Sequence, residues 1–333
     1  KIGIGIQMFD RQDYSYSRNG VYSTKVFVNG KIISHYKFDK LIINESKKLY
    51  QVIDYKNYTQ KRLKIFKLFY KSGNKLNFMN TLVDQGIFKV ELGKSYQILI
   101  EIEDFSGNKS SIEAFIEGTD NKIKPVELRG RLIKTDREYS FTLKNKELFF
   151  PSKTFFNDVK IELFENKDQI EIGPNLFPIA NSFEIKFGFN EKDSLRSAQT
   201  FIAKKMKKSL VYLPTKLEEN KLIAKVNELG VYTLARDSVA PTVVPDNFKK
   251  NQWLSNYKSL NLKIDDDFSG IKKYRGTING EWVLFEYEPK RKILTYDFFD
   301  KYSEKLKHNL ELEVEDNVGN KKIYKTTFFR KYD

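Results

Sequence analysis

The stretch "EVEDNVGNKK" (Glu313–Lys322) repeats a phrase that the chain has already used once, in "EIEDFSGNK" (Glu101–Lys109). The two copies place an aspartate at the same position, Asp104 in the first and Asp316 in the second. A phrase written twice at this distance is either a catalytic signature or a structural element built twice. The residues around each aspartate distinguish these two interpretations.

Each aspartate is followed three residues later by Gly-Asn, which is Gly107 and Asn108 in the first copy and Gly319 and Asn320 in the second. An aspartate carboxylate accepts hydrogen bonds from backbone N–H groups one or two residues ahead, and asparagine tolerates turn conformations. Glycine supplies a positive φ that costs other residues free energy. The phrase therefore predicts a tight chain reversal, and this interpretation requires no ligand.

The residues before each aspartate alternate between apolar and polar side chains. Leu310, Leu312 and Val314 alternate with glutamates in the second copy, and Ile100 and Ile102 do so in the first. Strict alternation is typical of a strand with one buried and one wet face. Each copy is therefore predicted to be a strand that ends in a turn.

The repeat extends beyond this phrase. "GVYSTKVFVNGKIIS" (Gly20–Ser34) and "SGIKKYRGTINGEWVLFEYE" (Ser269–Glu288) each hold two β-rich runs joined by Asn-Gly, at Asn29-Gly30 and at Asn279-Gly280. Asn-Gly between alternating runs is the strongest short signal for a β-hairpin. We therefore expect the first and last parts of the chain to share one β architecture.

These patterns predict an all-β chain of three tandem immunoglobulin-like β-sandwich domains, at residues 1–117, 118–238 and 239–333. The first is expected to contain a short helical insertion at about residues 44–69, where Leu49, Val52 and Ile53 recur at helical spacing after an Asn44 cap. The segment "DSLRSAQTFIAKKMKK" is helical by propensity, but its flanks favour a hairpin.

Composition narrows the possible functions. The chain has 333 residues, no cysteine and a formal net charge of +15, with lysines spread along the sequence and one compact basic run, "AKKMKK" (Ala203–Lys208). No nucleic-acid-binding motif accompanies that charge, so we expect no nucleic-acid partner. No apolar run approaches the roughly 18 to 20 residues that span a bilayer, so we expect no membrane-spanning segment.

A calcium site is the sharper alternative to a purely structural turn. Asp265, Asp266 and Asp267 supply hard oxygen ligands close to a repeated corner. Such a site needs carboxylates that converge from several loops, which a sequence does not reveal.

Several stretches resemble the C-terminal region of lysostaphin-type (LytM-like) zinc metallopeptidases of Bacteroidota, particularly flavobacteria. They are "LGVYTLARDSVAPTV" (Leu229–Val243), the segment Trp253–Phe298, and "HNLELEVEDNVGN" (His308–Asn320). "GVYSTKVFVNGK" and "IEIEDFSGNKS" are similar to the segment that follows the peptidase domain in that family. The resemblance implies immunoglobulin-like sandwiches, a cell-envelope location, and an upstream domain that cuts peptidoglycan cross-bridge peptides.

No catalytic residue of that family can be placed on this chain. The resemblance implies a zinc site of two histidines and an aspartate, with a His-x-His pair, whereas the chain holds only His35 and His308, in different copies of the repeat. A catalytic zinc typically needs three protein ligands. We therefore expect no catalytic residues and no cofactor in this chain, with zinc only in an upstream peptidase domain.

Two functions remain. The first is a non-catalytic binding or scaffold region, periplasmic or on the cell surface and associated with the outer membrane, which positions a peptidase-like domain or holds an envelope protein complex together. Its expected partners are envelope or outer-membrane proteins and peptidoglycan. The alternative is the C-terminal part of an active murein endopeptidase that shapes or regulates an upstream zinc site. Carbohydrate binding by Tyr14, Tyr16 and Tyr22 is a minor third hypothesis, because aromatic residues in strands more often pack in the core.

Overall fold

A computed structural model describes residues 1–12, 14, 16–40, 43–70, 76–120, 127–166, 168–188, 199–301 and 303–331. These residues form β-strands joined by turns and a few short helical segments, so the all-β prediction is confirmed. Below, residues 1–117 are the first unit, 118–238 the middle unit and 239–333 the C-terminal unit. Within the described ranges no helix has the length and apolar character to cross a membrane.

The first unit contains eleven of the described strands and one α-helix, α1 (Tyr55–Lys61). Two 3₁₀ helices lie at Ile43–Gln51 and Val83–Gly86. The strands are β1 (Ile2–Gly3), β2 (Gly5–Gln7), β3 (Asp10–Arg11), β4 (Arg18–Asn19), β5 (Ser23–Val28), β6 (Lys31–Lys37), β7 (Ile65–Lys67), β8 (Met79–Leu82), β9 (Ile87–Phe88), β10 (Ser95–Glu103) and β11 (Lys109–Glu117).

The main sheet of the first unit has the order β11-β10-β5-β6-β8, and β1-β9, β2-β7 and β3-β4 pair as short ribbons. Its core includes Val26, Tyr36, Leu68 and Ile100. Alternate residues of β5 and β10 supply much of this core, as the period of two in their sequences predicts.

The predicted helical insertion is shorter than expected. Asp54 caps α1 by accepting a hydrogen bond from the Asn57 backbone N–H at 3.0 Å, and α1 ends where Arg62 adopts a left-handed conformation. Residues 65–67, which the prediction counted as helical, form β7 and pair with β2. The side chain of the predicted cap, Asn44, lies outside the described residues.

The middle unit is a two-sheet sandwich. Its sheets have the orders β12-β15-β16-β22-β18-β19 and β13-β14-β17-β21-β20. The strands are β12 (Arg131–Ile133), β13 (Tyr139–Leu143), β14 (Lys146–Phe150), β15 (Val159–Glu165), β16 (Gln169–Gly173), β17 (Phe183–Gly188), β18 (Thr200–Lys205), β19 (Leu210–Tyr212), β20 (Thr215–Glu218), β21 (Lys221–Val226) and β22 (Gly230–Arg236).

The basic run 203–208 lies on a hairpin, because β18 pairs with β19. This agrees with the hairpin interpretation of its sequence for the part from residue 199 onward; residues 193–198 of that segment lie outside the described ranges.

The C-terminal unit is also a two-sheet sandwich, with the orders β23-β25-β29-β28 and β24-β31-β30-β26-β27. The strands are β23 (Thr242–Pro245), β24 (Gln252–Trp253), β25 (Ser259–Asp265), β26 (Ile271–Ile278), β27 (Glu281–Val283), β28 (Glu286–Glu288), β29 (Ile293–Asp297), β30 (Lys307–Asp316) and β31 (Lys321–Phe329).

The two copies of the repeat share strand order and hairpin geometry. Asn29 and Asn279 both have positive φ, at 48° and 54°, and each precedes a glycine with positive φ. The Asn29 side chain accepts a hydrogen bond from the backbone N–H of Gln97 at 2.8 Å, and the Asn279 side chain accepts one from that of Asn309 at 2.9 Å. Each Asn-Gly turn is therefore fixed to the strand that carries the repeated phrase.

Candidate functional site

The corner of the first unit is an aspartate clamp. One oxygen of the Asp104 carboxylate accepts a hydrogen bond from the Asn108 backbone N–H at 2.8 Å, and the other accepts one from the Asn108 side chain at 2.7 Å. The backbone carbonyl of Asp104 accepts a hydrogen bond from Gly107 at 3.3 Å. Hydrogen bonds from Asn108 lower the pKa of the Asp104 carboxyl. The corner is exposed to solvent.

The corner of the C-terminal unit has the same hydrogen bonds in a buried setting. The Asp316 carboxylate accepts bonds from the Asn320 backbone N–H at 2.8 Å and the Asn320 side chain at 2.6 Å, and a third from the Val318 N–H at 2.9 Å. Gly319 donates to the Asp316 carbonyl at 3.3 Å, as Gly107 does to that of Asp104. Asp316, however, is 0% exposed. What covers it is the junction with the middle unit.

That junction is fastened by polar contacts on both sides of the corner. The Asn320 side chain donates a hydrogen bond to the backbone carbonyl of Asp237 at 3.1 Å, and its oxygen accepts one from the Gln199 side chain. The Asp237 carboxylate accepts a hydrogen bond from the Ser269 backbone N–H at 3.1 Å. Asp237 and Gln199 belong to the middle unit, so the corner of the C-terminal unit also holds its neighbour.

Aromatic packing supports the same junction. Phe201 of β18 meets Phe268 edge-on, with 5.1 Å between the ring centroids. Phe201 is buried and also packs against Tyr212 of the same unit. The junction therefore has an apolar contact beside its hydrogen bonds, which makes hinge motion there costly.

Three carboxylates meet at this junction. One oxygen each from Asp237, Asp266 and Asp316 lies within 4.8 Å of the other two. Among the described residues, no lysine or arginine forms an ion pair with any of them. Burial, followed by the charges of Asp237 and Asp316, raises the pKa of the Asp266 carboxyl against the opposing effect of its backbone hydrogen bonds.

Each of these carboxylates already accepts hydrogen bonds from backbone N–H groups. Asp266 accepts hydrogen bonds from the N–H groups of Gly270 at 2.6 Å and Phe268 at 3.3 Å, much as Asp316 does at its own corner. Calcium prefers such oxygen ligands. The hydrogen bonds, however, account for the position of each side chain, and the cluster alone does not assign a metal.

The three adjacent aspartates singled out from the sequence separate in space. Asp265 pairs with Lys292 at 2.6 Å, and Asp267 is exposed. Only Asp266 joins a group of carboxylates, and its neighbours there come from β22's end and from the repeated corner. Sequence reasoning missed Asp237, whose only signal is its place four residues before Pro241, in the segment that joins β22 to β23.

The two histidines lie in different units, and each contacts residues of its own unit. His35 is half-buried in β6, and its Nε2 lies 3.1 Å from the Ser23 hydroxyl. His308 lies opposite Phe328 in the pair of β30 and β31, stacks on that ring with 4.9 Å between ring centroids, and is buried. Burial lowers the pKa of both imidazoles.

A second junction, between the first and middle units, forms an open cleft of about 570 Å³. The Thr59 hydroxyl of α1 lies there, 3.2 Å from the backbone carbonyl of Asn175. Three tyrosines of the first unit, which contact one another ring to ring, line the cleft: Tyr50, Tyr55 and Tyr58.

The rim of this cleft is basic. Its cationic residues come from both units: Lys47, Arg62, Lys204, Lys205 and Lys207. Glu228 forms an ion pair with Lys204. Burial and the charge of Arg62 lower the pKa of Lys204. Lysines of the "AKKMKK" run therefore line the same positively charged cleft as residues of α1.

The tyrosines proposed from the sequence for carbohydrate binding do not form one surface. Tyr14 and Tyr16 are fully exposed, whereas Tyr22 is half-buried. The Tyr22 ring packs edge-on against Phe105, and its hydroxyl donates to Asp39 at 3.1 Å. Tyr22 is therefore part of the first unit's own packing.

Comparison with known proteins gives one family match. Residues 130–237 match the model of a Zu5-like domain. This match covers the described strands of the middle unit. No curated protein matches the chain.

The solved structures that are similar to the chain include the following two. One is a mixed-linkage glucan utilization locus protein, SGBP-B of Bacteroides ovatus, in complex with a mixed-linkage heptasaccharide, at 11% identity and a TM-score of 0.18 over 99% of this chain. The chain spans 64% of that protein's length. The other is a bacterial ice-binding adhesin of 1.5 MDa, at 8% identity and a TM-score of 0.21 over 95% of this chain and 89% of the adhesin chain.

Proposed function

We propose that this chain is a non-catalytic binding and scaffold region of a cell-envelope protein related to peptidoglycan-cleaving zinc metallopeptidases of the lysostaphin type. It acts in the periplasm or at the cell surface, in association with the outer membrane. Its task is to hold an adjoining peptidase-like domain or an envelope complex at a fixed distance and angle. The observation that carries the proposal is the junction at Asp316, where a turn of one unit binds the next.

A scaffold must resist bending between its parts. Interfaces between domains of one chain are often polar and permit relative motion. Here Asn320 contacts both Asp237 and Gln199, and Phe201 packs on Phe268, so bending would break hydrogen bonds and an aromatic contact together. Leaving such buried groups unpaired is costly. These contacts favour a fixed angle between the middle and C-terminal units.

The basic cleft supplies the binding side of the proposal. Envelope polymers and many envelope proteins are acidic, and a concave surface lined by one sign of charge concentrates ligands of the opposite sign. The cleft sits where the first unit meets the middle unit, so an acidic partner bound there would also fasten that junction. We therefore expect the cleft to bind the partner and the buried junction to keep the angle.

The test uses residues 1–333 as they stand. The purified chain is incubated with peptidoglycan sacculi, which are then sedimented, and with detergent-solubilised envelope proteins, which are captured and identified. The test variant is R62Q/K205Q/K207Q, and the matched control, K31Q/K160Q/K216Q, removes the same charge from exposed lysines outside the cleft. We expect the cleft variant to lose at least half of the captured material and the control to retain it.

Three outcomes would contradict the proposal. Capture of neither sacculi nor any envelope protein removes the binding function. If both variants lose the same amount of captured material, the interaction depends on net charge and not on the cleft. Release of soluble muropeptides from sacculi by the purified chain would show hydrolysis, which is incompatible with a non-catalytic region.

A further inference from the structure

Both tryptophans of the chain lie on one open face of the C-terminal unit. The chain contains only two, Trp253 and Trp282. They sit on the opposite edge strands, β24 and β27, of the sheet β24-β31-β30-β26-β27, and are 56% and 57% exposed. Large apolar side chains that are exposed together on one face often mark a binding site.

Strand register shows that the two rings share a face. Trp253 is opposite Phe329, which is opposite Lys307 in β30. Trp282 is opposite Thr277, which is opposite Glu311 in the same strand. Residues four apart in a strand point to the same side, so both tryptophans project from the outer face. The inner face of β30 carries the core leucines.

Between the two rings lies a shallow trough of about 660 Å³, which is lined by residues of β26, β30 and β31 and by neither tryptophan. Strands lie about 4.8 Å apart and rise about 3.4 Å per residue, so four strand steps and four residues separate the rings by roughly 23 Å. The trough is lined by side chains with hydroxyl, amide or ammonium groups: Thr277, Asn309, Thr327, Lys250, Lys305 and Lys307. The separation of the two rings suits an extended chain that crosses the trough rather than a single small molecule.

The charge of the trough indicates which kind of extended ligand fits there. Glu311 is neutralised by Lys325 at 2.9 Å. Lys250, Lys305 and Lys307 form no ion pair among the described residues, so the trough carries excess positive charge. An occupant that complements it carries anionic groups at intervals and presents flat, weakly polar surfaces to the two rings.

Sugar rings present such surfaces. Their C–H groups are weakly positive and meet the negative face of an indole ring, while hydroxyl groups bond to threonine and asparagine. We propose that this outer face binds an acidic polysaccharide, with carboxylate groups paired to the lysines and sugar rings stacked on Trp253 and Trp282. This site is separate from the basic cleft and does not depend on the function proposed for it.

Intrinsic fluorescence tests the proposal directly, because both tryptophans belong to the face. Polygalacturonate oligosaccharides are titrated into the chain, with dextran oligosaccharides as the uncharged comparison. We expect the acidic sugar to shift the emission and to protect both rings from acrylamide quenching, and dextran to do neither. A second measurement, calorimetric titration, gives affinities for variants that lack a tryptophan.

Four variants distinguish binding at this site from non-specific binding. W282A and W253A should each weaken binding of the acidic sugar by about two- to tenfold, as expected for loss of one aromatic contact. F105A, which removes a still more exposed ring (83% exposed) from the first unit, should leave the affinity unchanged. R62Q/K205Q/K207Q should also leave it unchanged, so failure here is distinguishable from failure of the cleft.

The proposal is overturned if polygalacturonate gives no fluorescence change and no heat, or if F105A weakens binding as much as W282A does. It is also overturned if single-stranded DNA of equal charge competes as well as the sugar, since charge alone would then explain binding. Concentration-dependent dimers that W282A abolishes, without any sugar binding, would assign the face to a second copy of the chain instead.

Discussion

Replacing the aspartate of each repeated corner by alanine is a matched experiment that the chain itself provides. Asp104 and Asp316 make the same local hydrogen bonds to the asparagine four residues ahead. They differ in surroundings, because the first corner is in solvent and the second is buried against the middle unit. The two substitutions therefore separate the local value of the turn from the value of the junction.

The cost at the buried corner follows from the donors that lose their acceptor. In D316A the backbone N–H groups of Val318 and Asn320 and the Asn320 side chain are left without their carboxylate partner. A buried donor left unsatisfied costs about 1–3 kcal/mol, and relief of repulsion with Asp237 and Asp266 offsets part of the total. We expect the C-terminal unit to lose about 3 kcal/mol of unfolding free energy.

The exposed corner should respond much less. In D104A the freed donors of Asn108 bind water, so the loss is limited to the local turn. Hydrogen–deuterium exchange read by mass spectrometry reports both variants on one scale, from peptides that cover 95–117 and 307–329. Tryptophan fluorescence during denaturant unfolding gives a second value for the C-terminal unit, which holds both tryptophans.

Equal losses at the two corners would refute this reasoning, because burial and the junction would then contribute nothing. A larger loss in D104A than in D316A would refute it more strongly. Faster exchange in the 199–237 peptides of D316A, with none in the same peptides of D104A, is the further result that the junction predicts.

Three other changes test separate parts of the structure. G276A places a methyl group 2.3 Å from the buried ring of Phe285, so we expect the C-terminal unit to lose about 1–3 kcal/mol by fluorescence-detected unfolding, and an unchanged midpoint would contradict that packing. Burial raises the pKa of the Asp266 carboxyl in the folded state, so ionisation of this group costs the wild type stability as the pH rises from about 3.8 through the folded pKa. D266N keeps an acceptor but has no charge, so its stability relative to the wild type should increase over the same rise in pH. A pH-independent difference would refute the repulsion. T59V removes a hydroxyl that lies 2.9 Å from the Tyr55 carbonyl of α1 and 3.2 Å from the Asn175 carbonyl of the middle unit, which should cost about 0.5–1.5 kcal/mol. Exchange in peptides around Asn175 reports on the contact across the junction and should become faster, whereas exchange there equal to wild type would show that this contact does not fasten the first junction.

Short-range chemistry was readable from the sequence. The Asn-Gly turns and the Asp-x-x-Gly-Asn corners depend on contacts within four residues, and these contacts appear at Asn29, Asn279, Asp104 and Asp316. The alternation before each aspartate identified strands because the side-chain period of a strand is two. Both the turn motifs and the alternation predict the structure correctly because neither depends on the path of the rest of the chain.

Convergence of distant residues was not readable. Asp237, Asp266 and Asp316 come together only because the segment that joins β22 to β23 lies beside two loops of the C-terminal unit. The shared face of Trp253 and Trp282 likewise follows from the pairing register of five strands rather than from any local pattern. A single sequence holds no record of register between strands so far apart.

The end of the helical insertion shows how local propensity yields to pairing. Residues 65–67 fall inside the predicted helical insertion, yet they form a strand because β2 offers them a backbone partner. Arg62, in the left-handed conformation, ends α1 three residues earlier. Tertiary pairing overrides intrinsic helix preference in such short segments.

The central claim is that the units of this chain are held at fixed angles to one another. Distances between the units test that claim. Because the chain has no cysteine, pairs of cysteines at exposed positions, such as E113C with K160C and K160C with E286C, can carry spin labels uniquely. Pulsed electron resonance should give one narrow distance distribution for each pair, and N320A should broaden only the second. Broad distributions for both pairs in the unaltered background would show freely jointed units and contradict the account.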